Sequence, residues 1–380
     1  MSVPTEKLGN LVDILSGFAF DSSDFSNHEG MPLIRIRDVV RGSTATRYSG
    51  DYDPRFIISD EDILIGMDGE FNVARWRGGS ALLNQRVCRI KSRNGKLDER
   101  YLYRFLPQAL RKIEDSTSYV TVKHLSTKDI REIEIPLPPV PEQKRIAAIL
   151  DAAHALLEKR RKAITLTRQI LQASFSDMFG DPLHATPGGA SVPFRDVTSR
   201  ITYGFTNPMS HLESGIPIIT AKNVQDGFVD MTDVHYANKD EFDALTAKSK
   251  PRRGDILVTK DGTIGRSAIV TSESPICINQ SVALIQLDEG RVTSEFVHGW
   301  LSHSNVRELL QGMQKGHALQ HLQITELAKL PIPLVSIDQQ HLYSDVAEAA
   351  RRLTVTLEAS YRQSELLIRG LQHRAFRGEL

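Results

Sequence analysis

The chain states one pattern twice. "GMPLIRIRDV" (residues 30–39) is answered by "GIPIITAKNV" (215–224), each opening on a Gly turn and a Pro and closing on a basic residue, an Asx and a Val. Three further pairs follow in the same order: "EDILIGMDGEFNVA" (61–74) with "GDILVTKDGTIGRSA" (254–268), "LLNQRVCRI" (82–90) with "CINQSVALI" (277–285), and "HLSTKDIREIEIPLPPVPEQ" (124–143) with "HLQITELAKLPIPLVSIDQQ" (321–340). One match arises by chance; four in the same order over more than a hundred residues mean a tandem duplication. That decides the architecture before any single motif is read.

Each copy carries the same coarse grammar. The alternating apolar residues of "PLIRIRDV", "PIITAKNV", "DILIGM" and "DILVTK" read as strands, the last two leading into Asp-Gly turns at Asp68-Gly69 and Asp261-Gly262. Apolar residues at three- and four-residue spacing then predict a helix in "DERYLYRFLPQALRKI" and in "SEFVHGWLSHSNVRELLQGM". Prolines hold the next stretch, "IEIPLPPVP" or "LPIPLVSI", out of helix. The expected fold is α/β in two tandem heads, 1–142 and 181–338.

The segments after each head differ in kind. Residues 143–179 contain neither Pro nor Gly, and Leu150, Leu157, Ile164, Leu171 and Met178 fall seven apart, the spacing of a coiled-coil seam. After the second head, Val346, Leu353 and Leu367 share one seven-residue phase, with Leu357 and Leu371 four beyond members of it, Ser360 and Ser364 weakening the middle, and Ser336 and Gln339 placed as a capping box. Two narrow stripes of this kind bury most simply against each other. Segments 143–180 and 339–380 are therefore expected as two long helices packed as an antiparallel coiled coil, on the order of 50 Å long, giving a pseudo-two-fold symmetric molecule.

Two heads of one fold held at a fixed distance suit two short sites about one turn of duplex apart, roughly 34 to 36 Å. Scaffold residues then repeat and base-reading residues diverge, as Arg35 and Arg37 do against Thr220 and Lys222. Arg and Lys match guanine edges, Asn and Gln adenine. Polar residues in loops after the repeated strands are the candidate DNA contacts: Arg35, Arg37, Arg75, Arg77 and Lys123 in the first head, Lys222, Asn223, Lys260, Arg266 and Lys315 in the second. A solvated surface charge is the alternative for each. Asn84-Gln85 and Asn279-Gln280 are kept in both heads, which suits a shared turn better than discrimination. Core packing is the default for Phe18, Phe20, Tyr203 and Phe205, with DNA contact the alternative because their neighbours are small and polar, and "EKRRKA" (158–163) fits a solvated helix face or a DNA backbone contact.

At this point the sequence resembles the specificity (S) subunit of type I restriction-modification systems over essentially its full length. The resemblance is carried by "LSGFAF" with "GMPLIRIRDV", "GDILVTKDGTIG" with "INQS", the "IPLPPVPEQKRIAAILD" junction, "SFSDMFGDP" and the terminal "LQHRAFRGEL". It implies two target-recognition domains, each reading one half of a split DNA target, and helical regions whose length sets the unread spacer. It also implies two methyltransferase (modification) subunits that bring S-adenosylmethionine, and restriction subunits that use ATP and magnesium. Gln143 and Gln340, at the start of each long helix, either cap and pack or meet the modification subunits.

The residues themselves argue against catalysis in this chain. "DPRF" and "NPMS" are the nearest pieces to an adenine-methyltransferase motif and neither qualifies; no GxxxxGK[ST] loop occurs, and "KDGTIG" reads as a hairpin turn. His124 and His321 occupy equivalent places, but a lone His per head without a partner at ligand spacing reads as structural or as a phosphate contact. No cofactor or metal is expected in the chain. Lys plus Arg equals Asp plus Glu, 47 each, so any grip on DNA rests on local patches or on partners. Two distant cysteines, no signal-like amino terminus and no membrane-length apolar stretch make the cytoplasm the expected location. Two other classes stay open: a duplicated enzyme with a site between its heads, and a coiled-coil adaptor whose heads bind protein.

Overall fold

The computed structural model describes residues 3–116, 123–184, 190–313 and 321–380. The chain divides into two compact units, Met1–Glu158 with Arg362–Leu380, and Lys159–Tyr361. The division falls inside both of the longest helices.

The first unit is built on an antiparallel sheet of β1 (Val12–Ser16), β2 (Ile63–Gly66), β3 (Val73–Arg75) and β4 (Val87–Ser92), in the spatial order β1-β4-β2-β3. All four residues of β2 are buried, because both faces of this strand are covered. Ile63 and Ile65 pack with Tyr101, Leu102, Leu106, Ile146 and Leu150, while Leu64 packs with Ile34, Trp76 and Val87. Beside this sheet, strand Met31–Ile34 pairs in parallel with Ala81–Leu83, Leu33 opposite Leu82. The first unit's helices include α1 (Ile36–Arg41), α2 (Glu99–Ser116) and the amino-terminal part of α3 (Val140–Phe179).

The second unit repeats the plan. Its antiparallel sheet is β5 (Thr198–Tyr203), β6 (Ile256–Thr259), β7 (Ser267–Ile269) and β8 (Val282–Leu287), ordered β5-β8-β6-β7. Ile256 and Val258 join Phe296, Trp300 and Tyr343 on one side, Leu257 joins Ile219, Ile278 and Leu284 on the other, and the parallel pair recurs with Ile218 opposite Cys277. Its helices include α4 (Ser294–Ser302), α5 (Ser304–Gly312) and most of α6 (Ile337–Ala375). The fold is therefore α/β in two tandem domains.

Three local expectations change. "PLIRIRDV" is not strand throughout: it ends at Ile34, and Asp38 Oδ2 accepts the Arg35 N–H at 3.0 Å to start α1, which Gly42 closes at φ 68°. In the second unit Asn223 Oδ1 accepts the Thr220 N–H at 3.0 Å, but a turn and a short hairpin follow in place of a helix. The helix expected over "SEFVHGWLSHSNVRELLQGM" breaks at His303, whose side chain accepts from the Asn305 N–H and caps α5.

The third change concerns the long helices. Within each unit their segments run antiparallel: His154 meets Gln372 in the first, while Arg160 donates to the Ser360 carbonyl and Arg168 pairs with Glu358 in the second. On α3, Leu150 and Ile164 are buried as expected, but Phe179 is buried in place of Met178. On α6 the expected phase is wrong. Val346, Leu353 and Leu367 are 43%, 51% and 61% exposed, and the buried series is Gln340, Ala347, Thr354, Ile368 and Ala375. Small and polar residues carry this seam, and Thr354 satisfies its hydroxyl on the Ala350 carbonyl. Ser336 accepts the Gln339 N–H, as a cap at the start of α6 should.

Candidate nucleic-acid interface

Residues repeated in both heads turn out to build the scaffold. Gln143 is fully buried; its Oε1 accepts the Asp98 N–H at 2.8 Å, and its Nε2 donates to the carbonyls of Lys96 at 2.9 Å and Pro138 at 2.8 Å. Gln340 does the same with the Thr293 N–H at 2.8 Å and the carbonyls of Arg291 at 2.9 Å and Val335 at 3.1 Å. Every hydrogen bond these amides need is made inside the chain. Neither is available to a modification subunit, so the partner-contact reading of Gln143 and Gln340 gives way to the packing one.

The Asn-Gln pairs close equivalent turns. The Asn84 and Asn279 carbonyls accept from Val87 and Val282, the Gln85 and Gln280 N–H groups donate to the carbonyls of Phe18 and Phe205, and the Phe18 and Phe205 N–H groups donate to Leu83 and Ile278. Gly17 and Gly204 lie so close to this turn that a Cβ would come within 2.0 Å of the Asn84 carbonyl oxygen and 1.9 Å of that of Ile278.

Around this shared frame the candidate contacts divide. In the first head α1 carries Arg35 at its cap and Arg37 in its first turn, and it packs against β2 and β3. β3 in turn ends on Arg75 and runs on to Arg77, so four of the five cations gather in one region. Arg77 and Arg37 are the most exposed, at 76% and 55% of the side chain; Glu61 lies 3.5 Å from Arg77 and 3.4 Å from Arg75, which also stacks on Tyr103. Lys123 stands apart, its ammonium donating to the Glu114 carbonyl at 2.5 Å.

In the second head Gln225 links two candidates, donating to the Lys222 carbonyl and accepting from Arg266 Nη1 at 3.2 Å. The Lys222 ammonium is half-exposed and bonded to Asp233 at 2.9 Å. Lys260 pairs with Asp261 at 2.8 Å and lies 5.7 Å from the ring centre of Tyr203. Asn223 is a correction. It is 2% exposed, its oxygen takes the N–H and hydroxyl of Thr220, and its Nδ2 donates to the carbonyls of Asp230 and Asp233. With both hydrogens spent, it has nothing left for a base. Lys315 lies outside the described residues.

Sequence reasoning missed Lys248, whose ammonium sits 5.8 Å from the ring of Tyr203, a residue for which core packing was the default and DNA contact the alternative. Tyr203 is 37% exposed between two lysines, an aromatic face with cationic flanks of the kind that contacts nucleic acid. No local signal links residues 203 and 248; the short turn Ala247–Ser249 packs on β5 only in the folded head. Both cysteines are buried, and burial pushes each thiol up to about 12, which leaves them inert.

Known proteins are similar to this chain in sequence and fold. The sequence profile of the family described as "Type I restriction modification DNA specificity domain" matches residues 3–166 and again residues 210–366. The chain is 32% identical to the type I restriction enzyme EcoBI specificity subunit of Escherichia coli, over 98% of this chain and 85% of that one. A putative type I restriction enzyme specificity subunit of Haemophilus influenzae is 24% identical over 87% and 89% of the two chains. The fold is similar to that of the type I restriction-modification S subunit from M. genitalium, with a TM-score of 0.58 at 14% identity, covering 98% of this chain and 96% of that one.

Proposed function

The chain belongs to the type I restriction-modification specificity family, as a non-catalytic subunit, and from that premise we propose that it reads a bipartite, asymmetric DNA target and carries adenine methyltransferase subunits to both halves. One observation carries the reading. Scaffold residues recur in both heads with the same hydrogen bonds, as at Asp38 and Asn223, Asn84 and Asn279, Gln143 and Gln340. The polar residues set on that scaffold differ: Arg35 stands where Thr220 does, and Met67, beside Asp68, where Lys260 does. A duplicated reader with diverged letters suits two different half-sites.

In this reading phosphate contacts position each head and base-edge contacts select sequence. The modification subunits, two in number, supply S-adenosylmethionine and extrude the adenine for reaction; restriction subunits add ATP and magnesium. The assembly works in the cytoplasm. Among the described residues no helix is long and apolar enough to cross a membrane.

The test is to co-express the chain with its methyltransferase subunit and map methylated adenines in host DNA by single-molecule sequencing. The expected result is one split motif with a fixed gap, in which exchanging residues 181–338 for another head changes one half alone. A stable complex that leaves methylation absent or unpatterned overturns the reading.

A further inference from the structure

Each head holds an imidazole at the same place in the repeat, outside its core, paired to an Asp. In the first, His124 Nδ1 lies 2.6 Å from Asp68 Oδ1, across an isolated backbone bridge between the same two residues. In the second, His321 Nδ1 lies 2.6 Å from Asp261 Oδ1 across the same bridge. The imidazole side chains are 64% and 48% exposed while the carboxylates behind them are only 15% and 21% exposed. Each Asp also meets one cation, from a different place in each head: Arg86 at 2.9 Å from Asp68, Lys260 at 2.8 Å from Asp261. The dyad repeats where its neighbours have diverged, so it serves something common to both heads.

The ring chemistry narrows what that is. With Nδ1–H given to the Asp, Nε2 is the only remaining polar atom, and among the described residues it has no partner. Neutral, it accepts; protonated, it donates with a full positive charge. No third His, Cys, Asp or Glu among the described residues completes a metal site. The ligand common to any two DNA half-sites is the backbone phosphate, an acceptor only. A phosphate on Nε2 and the carboxylate on Nδ1 would bracket the ring and stabilise its charged form.

We propose that His124 and His321 are the sequence-independent phosphate contacts of the two heads, each oriented by its Asp and each taking one proton from solvent when DNA binds. This rests on the DNA-reading function above. Among the described residues the charged groups around His124 are Asp68, Arg86, Asp129 with Lys128, and the neighbouring Lys123; around His321 they are Asp261 and Lys260.

The experiment is fluorescence anisotropy of the assembled complex with its modification subunits, on a duplex bearing the mapped motif and on a scrambled duplex of equal length, between about pH 5.5 and 8.5. Uptake of one proton per head weakens binding to both duplexes as pH rises, by up to about tenfold per pH unit for each head over the range where the proton is taken up. In the His124→Asn, His321→Asn double variant the Asn amide keeps the Nδ1 hydrogen bond and loses Nε2. Its binding should be weaker at low pH, equally on both duplexes, with the pH slope flattened. Ethylation interference should lose one phosphate in each half-site and keep the rest. A parent profile already flat with pH, or a double variant that keeps the parent's slope, overturns the inference and leaves sequence reading intact. A parent that does not prefer the motif to the scrambled duplex removes the function itself. Should the variant melt early, the parent's own profile decides, since a purely structural clasp takes up no proton on binding.

Discussion

Gln143 Oε1 accepts the backbone N–H of Asp98 at 2.8 Å, and Gln340 repeats the bond with Thr293 at the same distance. Each amide ties the first turn of a long helix to the first turn of its head's own helix, and to two carbonyls besides. Gln143→Ala leaves a buried N–H and two carbonyls without partners. The expected cost is about 2 to 4 kcal/mol, read as a lower midpoint in chemical denaturation, with the mapped methylation motif unchanged in whatever complex still assembles. Gln340→Ala should match it. Loss of modification-subunit binding from a chain of parental stability would instead restore a partner contact.

Asp38, third in α1, takes the N–H of Arg35 and Asn223, in a turn, takes that of Thr220, so either letter should serve as the acceptor three residues downstream. Asp38→Asn is expected to change stability by less than about 0.5 kcal/mol, whereas Asp38→Ala should cost about 1 kcal/mol, as lost caps do. Asn223→Ala removes four hydrogen bonds from a 2% exposed site and should cost about 2 to 3 kcal/mol. The exposed Lys222→Ala should do the reverse, leaving the melting temperature alone and weakening DNA binding by the complex. Equal melting temperatures for the Asn223 and Lys222 variants would contradict this division.

How much of this was legible in the sequence depends on whether neighbours or letters decide. The duplication, and with it two α/β heads, follows from identity between distant stretches. Repetition also marked Gln143, Gln340, Asn84 and Asn279, but not what they do, because burial is set by the far side of the fold. The phase of α6 was misread because Val346, Leu353 and Leu367 look like a seam, while Ala347, Thr354, Ser364 and Ala375 fill most of the buried positions beside Gln340, Tyr343 and Ile368. Hydrophobicity finds large apolar residues, not the small ones that let helices approach. Lys123 and Lys248 show the same limit at the candidate interface: one is spent on the Glu114 carbonyl and the other sits over Tyr203, and neither partner is near in sequence.

The carboxy-terminal ends of the two long helices pack on aromatic residues. Phe376 sits edge-on to Tyr101 at 5.3 Å and Phe105 at 5.1 Å in the first unit, and Phe179 takes the matching place against Phe296 at 5.0 Å in the second. Phe179 is 1% exposed and Phe376 only half-buried. Phe179→Ala should therefore cost about 3 to 5 kcal/mol and Phe376→Ala less. Truncation after Ala375 should destabilise the first unit by at least as much as Phe376→Ala, seen as faster hydrogen exchange in α2 with the second unit's α4 unaffected.

His298 makes the second unit sensitive to acid. It is a buried residue of α4 with its Nε2 on the Ser267 carbonyl, and burial lowers it to about 4 from an ordinary 6.5. The unfolded chain therefore binds a proton that the folded head refuses. Stability held above about pH 6.5 should fall as pH drops towards about 4, by on the order of 3 kcal/mol across that window. Glu295, whose burial raises its carboxyl, works in the opposite sense and blunts the total, so the difference between two chains isolates the effect. His298→Gln can still donate to Ser267 and has no proton to gain. Its melting temperature should fall less between pH 7 and 5 than the parent's. Parallel curves for the two would mean that His298 is reached by water in the folded head and that the acid sensitivity lies elsewhere.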